Sequence, residues 1–128
     1  MPAYDATRFE PPAPVALVTL RSGNQGIVWA DVPMLLDTGA DVTAVPMSVI
    51  ERLALASEPD IHYEIEGFDG KRSIAQVAHL ELVFLRRTFK GQFLLVDQDW
   101  GIIGRNILNA VSITLDGPAF RWDENRNK

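Results

Sequence analysis

A chain of 128 residues with a formal net charge of −5, 47% apolar and 23% charged residues has the length and composition of one ordinary globular domain. Apart from the short pairs Lys71-Arg72 and Arg86-Arg87, its Lys and Arg residues are scattered, so it lacks the basic face with which nucleic-acid binders neutralise phosphates. No apolar run approaches the ~18 residues of a membrane span, and the acidic, proline-rich start Met1–Pro14 lacks the basic-then-apolar order of a signal peptide. With no cysteine, disulfides are excluded. A cytoplasmic protein with no nucleic-acid and no membrane partner is expected.

Residues 1–13 read as a flexible arm, because the prolines at 11, 12 and 14 lack the N–H that a sheet needs. Val15–Arg21 is rich in β-formers, Ser22–Gly26 is a cluster of turn residues, and Ile27–Ala30 reads as a returning strand, which together predict a hairpin. Asp31-Val32-Pro33 is expected to interrupt it before Met34–Leu36 runs as a short buried strand. Ser48 and Glu51 have the spacing of a capping box. This predicts a helix over Val49–Ala56, stopped by Pro59. Ile61–Gly67 and Ser73–Leu85 are predicted strands, joined by a turn at Phe68-Asp69-Gly70-Lys71. Arg86–Gly91 reads as a further turn, Gln92–Val96 as a strand and Gly104–Ala110 as a short helix. Ser112–Leu115 and Ala119–Trp122 are predicted strands on either side of Asp116-Gly117-Pro118, and the polar tail 123–128 is expected to fray. Many short strands, two short helices and glycine-bearing turns define a mostly β class, although periodicity does not choose among barrel types.

Most of the chemistry is concentrated in Leu35-Leu36-Asp37-Thr38-Gly39-Ala40-Asp41. An acidic residue ends an apolar run and is followed at once by Thr-Gly. Downstream lies Ile102-Ile103-Gly104-Arg105-Asn106. Asp-Thr-Gly alone fits a turn on any surface loop. The two longer motifs together resemble the retropepsin-like aspartic proteases, the family of retroviral proteases and their cellular and bacterial relatives. The resemblance spans about residues 15 to 122 and implies a domain over 14–122 built as a small closed β-barrel with a flap hairpin. Hydrolysis of this type activates a water between two aspartates, one ionised and one protonated. The chain has a single Asp-Thr-Gly, so the resemblance implies a homodimer that needs no cofactor, acts on a peptide or protein substrate, and uses one Asp37 from each copy.

The same resemblance assigns further roles. Thr38 is expected to brace the two active loops against each other, and Gly39 to leave room for substrate backbone. Asp41 and Arg105 match a family ion pair, with Asp41 also facing substrate, and Gly104 is expected to let the following helix pack beneath Asp37. Leu35, Ala40, Val42, Ala44 and Ile102 are expected to line apolar pockets bordered by Trp100, while Phe68, Asp69 and Gly70 would form the flap tip. The chain departs from the viral pattern in a longer hairpin before Asp37, a larger helix at Ser48–Ala56, a flap poorer in glycine and a C-terminal hairpin reaching Trp122.

Other readings of these residues are weaker. Asp37 and Asp41 as metal ligands would need more oxygen donors nearby. Asp97-Gln98-Asp99 reads as polar loop, and His62 and His79 have no zinc spacing. Gly101-Ile102-Ile103-Gly104 lacks the Lys-Ser/Thr of a phosphate loop. No metal is expected. The alternative to an endopeptidase is a catalytically weak dimer of the same fold that binds peptide or only dimerises.

Overall fold

The computed structural model describes residues 2–23, 26–55, 62–66 and 72–125. In chain order the described elements are β1 (Tyr4–Asp5), β2 (Ala13–Arg21), β3 (Val28–Leu36), β4 (Ala44–Pro46), α1 (Val49–Arg52), β5 (His62–Glu66) and β6 (Arg72–Phe84). They continue with β7 (Arg87–Val96), β8 (Gly101–Ile103), α2 (Arg105–Leu108), β9 (Ile113–Asp116) and β10 (Arg121–Glu124).

Alternation along β2 sends Ala16, Val18 and Leu20 inward while Leu17 faces out, the period-two pattern of a half-buried strand. β2 pairs antiparallel with β3, and its last residues, Thr19–Arg21, also pair with Glu81–Val83 of β6. The order β2-β3-β8-β4-β7-β6 therefore returns to β2 and closes a six-stranded barrel, with β1 and β5 added at its margins. Closure leaves the ring without an open edge. Its interior is filled by Val18, Leu20, Val32, Met34, Val45, Leu82 and Ile103, all fully buried. Val49 and Leu53 seat α1 on this core, where Arg52 also lies over the Trp29 ring at 4.8 Å. Ile107 and Leu108 seat α2.

Several local expectations are corrected. Asp31-Val32-Pro33 does not break the strand. β3 continues through it, and the register slips between Val18↔Val32 and Leu20↔Trp29, which is a β-bulge with Asp31 at φ 59°. The helix after Ser48 covers only Val49–Arg52. Ser48 itself is helical (φ −62°, ψ −11°), so its hydroxyl makes no capping bond, and Ala54 at φ 52° turns the chain away. The expected turn over Arg86–Gly91 is mostly strand. β6 and β7 meet through Leu85-Arg86 alone, both at positive φ, the backbone of a type I′ turn built without glycine.

The N-terminal stretch also differs from an unpaired arm. Tyr4 and Asp5 pair with Pro14 and Ala13, Ala3 bridges to Arg121, and the Trp122 N–H donates to Pro2 O at 3.0 Å. The prolines tolerate this because they lie at the margin of the sheet, where a missing N–H costs little. β9 and β10 form the expected hairpin. Trp122 is buried against Phe84 and donates its indole N–H to Val15 O at 3.1 Å. Among the described residues no helix is long and apolar enough to cross a membrane.

Candidate active site

Asp37 follows the last residue of β3. Parallel pairing of β3 with β8 (Leu35↔Ile102, Leu36↔Ile103) carries through to it, and its N–H donates to Ile103 O at 3.0 Å. Beyond it the chain turns sharply. The Gly39 N–H donates to Asp37 Oδ1 at 2.9 Å and the Ala40 N–H to Asp37 O at 3.2 Å, so the aspartate organises its own loop. A Cβ on residue 39 would stand 3.2 Å from Asp37 Oδ1, and glycine removes that crowding. Asp37 is half-buried, whereas Thr38 and Gly39 form an exposed tip.

The loop rests on the segment after β8. The first N–H groups of a helix have no partner within it. Here the Arg105 N–H reaches Ala40 O at 2.9 Å and the Asn106 N–H reaches Asp41 O at 3.3 Å. The Arg105 guanidinium donates to Thr38 O at 2.8 Å and binds the Asp41 carboxylate. That side-chain pair is open to water, so its value is positional more than energetic. At Gly104 a Cβ would come within 2.5 Å of Val42 O and 3.0 Å of Ala40 O, backbone atoms that cannot swing aside.

Two residues with no assigned role complete the support. Thr43 is buried, accepts the Gly104 N–H at 3.1 Å and donates to Asn106 Oδ1 at 2.8 Å, tying the far end of the active loop to α2. A lone hydroxyl inside the apolar run Val42–Val45 was the signal for it, since a buried polar group must be bonded.

Three of the residues expected to line pockets, Leu35, Ile102 and Ala44, fall into one register. Leu35 pairs with Ile102, Ile102 with Ala44, Ala44 with Leu94, and Leu94 with Val77, an apolar row crossing β3, β8, β4, β7 and β6. It lies on the opposite face of these strands from Met34, Leu36, Val45 and Ile103, which fill the barrel core. Leu35 and Ile102 are partly open, while Ala44, Val77 and Leu94 form a separate buried cluster. Asp37 has the parity of Leu35, so the row runs beside it. Val77 and Leu94 are additions to the sequence-based set. Continuous apolar runs such as Phe93-Leu94-Leu95 mark strands covered on both faces, but do not say what covers them.

Ala40 is half-buried, and Val42 is 39% exposed. Trp100, half-buried, ends the turn before β8, has the parity of Ile102 and accepts the Gln98 amide at its carbonyl at 3.0 Å. Phe68, Asp69 and Gly70, the expected flap tip, lie outside the described residues. His79 is on β6 against Gln92, at 3.2 Å. Among the described residues no three His, Cys, Asp or Glu side chains are grouped to hold a metal ion.

Comparison with known proteins bears on the family and the fold. The sequence profile of a family described as aspartyl protease matches residues 10–107. Among solved structures, EIAV protease complexed with the inhibitor HBY-793 superposes with a TM-score of 0.54 at 25% identity, over 77% of this chain and 86% of that one. No curated protein matches the chain by sequence.

Proposed function

The chain belongs to the aspartyl protease family and has the retropepsin-like barrel, and from that premise we propose that it is a homodimeric endopeptidase with one Asp37 contributed by each copy. The observation that carries this reading is the placement of Asp37. It is held by backbone hydrogen bonds at the end of β3, beside the apolar row, on a loop whose tip of Thr38 and Gly39 is left open. A single carboxylate cannot act as base and acid at once. A second copy across a two-fold axis supplies the other from the same exposed tip.

In the proposed reaction the ionised Asp37 takes a proton from a water held between the pair. The water oxygen bonds to the peptide carbonyl carbon while the protonated Asp37 donates to the carbonyl oxygen. Collapse of the tetrahedral intermediate breaks the C–N bond, the amine leaves with a proton, and the dyad again shares one. Thr38 braces the paired loops, and the Asp41–Arg105 pair fixes the loop edge. Leu35, Ile102 and their row receive apolar side chains flanking the scissile bond. The inhibitor complex of EIAV protease supports reading this face as a peptide cleft.

The test is cleavage of a diverse peptide library by wild type beside Asp37→Asn. The variant is expected to lose activity by about 10²–10⁴-fold, and the wild-type specific activity should fall on dilution as dimers dissociate. A folded, dimeric wild type that cleaves nothing would instead make the protein a peptide-binding module.

A further inference from the structure

The N-terminal segment reaches Trp100, the residue expected to border the apolar pockets. Asp5, fixed on β2 through its pairing with Ala13, folds the next residues around its own carboxylate. Its Oδ1 accepts the N–H groups of Thr7 and Arg8 at 2.8 and 2.9 Å and the Thr7 hydroxyl at 2.8 Å, and Arg8 Nη1 donates to Oδ2 at 2.7 Å. This turn delivers Phe9 onto Trp100, edge to face, with ring centroids 4.8 Å apart and planes at 67°. Trp100 immediately precedes Gly101, whose backbone is pressed so closely on Met34 that a Cβ would meet its Sδ at 2.4 Å. The indole is therefore fixed at its base by β8 and on one side by Phe9.

We infer that Phe9 is a positioning residue for substrate selection: by holding the Trp100 ring two residues before Ile102, on the flank of the row Leu35–Ile102–Ala44, it sets the size of apolar side chain that the cleft admits. The inference rests on the proteolytic reading of that cleft. A tryptophan on a turn sweeps a wide volume as its χ angles change, and an edge-on aromatic partner selects one rotamer. Phe9 is half-buried although its sequence neighbours Arg8 and Glu10 are exposed. It belongs to neither β1 nor β2, so its ring is placed by the Asp5 turn and its contact with Trp100.

The experiment compares wild type, Phe9→Ala and Phe9→Tyr on peptides that differ only in the size of the residue flanking the scissile bond. Phe9→Ala is expected to change the preference between small and aromatic side chains by about two- to tenfold, the factor an aromatic pair is worth. The change should appear in KM with kcat little altered, and Phe9→Tyr should restore the wild-type profile. The Trp100 indole resonance, assigned with Trp100→Phe, should lose the ring-current shift of Phe9 in the alanine variant alone. A preference that is identical in wild type and Phe9→Ala, or an indole resonance that does not move, overturns the inference. If wild type cleaves nothing, the proteolytic reading fails separately, and binding of the same peptides is followed instead. A binding preference that moves with Phe9→Ala still supports the positioning role; an unmoved preference, or no binding, overturns it.

Discussion

The active loop and the layer formed by the chain ends are both built from short segments, yet they are held by different forces. Around Asp37 nearly every contact is a hydrogen bond: Asp37 to Gly39, Ala40 to Arg105, Asp41 to Asn106, and Thr43 to both Gly104 and Asn106. Around the termini aromatic packing is added to strand pairing and hydrogen bonds. Trp122 lies against Phe84 at 6.1 Å and Tyr4 meets Phe120 at 6.3 Å, beside the pairing of β1 with β2 and of β9 with β10. Directional bonds fix atoms to tenths of an ångström, as the role proposed for Asp37 requires, whereas apolar burial supplies energy with less geometric demand.

The sharpest way to separate the two is to remove the aromatic anchor. Trp122→Ala deletes a buried indole and should lower stability by about 3–5 kcal/mol. If the regions are independently held, the hydrogen bonds of the active loop survive in the folded fraction. Urea denaturation gives the energy, and amide exchange at Gly39 and Arg105 shows whether the loop follows. Loss of protection there at low denaturant, in step with the terminal hairpin, would break the comparison.

Glycine substitutions sharpen it from the other side. Gly104→Ala thrusts a methyl into the backbone of Val42 and Ala40, so overpacking of about 1–3 kcal/mol is expected, centred on the active loop. Gly117→Ala, in the terminal hairpin, meets nothing within 4 Å and should stay within about 0.5 kcal/mol of wild type. Thermal unfolding of the two variants side by side checks the contrast, and equal losses would show that the terminal layer is as tightly fitted as the loop.

This division also explains what could be read from the chain. The Asp37 loop and the Ile102–Asn106 segment were legible because hydrogen-bonding chemistry restricts residue types at fixed spacing. Gly104 and Arg105 have few substitutes in a site that needs a missing Cβ and a forked donor. The mostly β class was legible from the density of short apolar strands, and the barrel only through the resemblance that the two motifs carry. The Leu85-Arg86 turn was not, since its positive φ angles are carried by residues that rarely adopt them and the sheet on either side imposes them. The bulge at Asp31 read as a break because a local pattern of Asp and Pro does not reveal that the partner strand continues. The capping box at Ser48 had the right letters, but tertiary packing of Val49 and Leu53 set the backbone. Phe9 and Trp100 are ninety-one positions apart, and nothing in either neighbourhood announces the other.

The smallest expected effect concerns the link between the two regions, the turn that carries Phe9 to Trp100. The N–H of Arg8, then its guanidinium, and then Thr7 all donate to the Asp5 carboxylate, and they hold its pKa well below the usual carboxylate range. A group depressed in the folded state contributes stability above its unfolded pKa, and that contribution fades as pH falls toward the folded value. The turn should thus be unchanged from neutral pH down to about pH 4, and should loosen progressively only in stronger acid. Asp5→Asn removes the charge and should abolish that acid dependence, leaving a weaker turn at every pH. Following the Trp100 indole resonance between neutral and strongly acidic pH in both proteins measures it. A wild-type resonance that shifts near neutral pH would place the controlling proton elsewhere. One that stays fixed in strong acid would mean that Phe9 is held by Trp100 alone, and that the terminal layer grips the cleft edge by aromatic contact without the help of a charge.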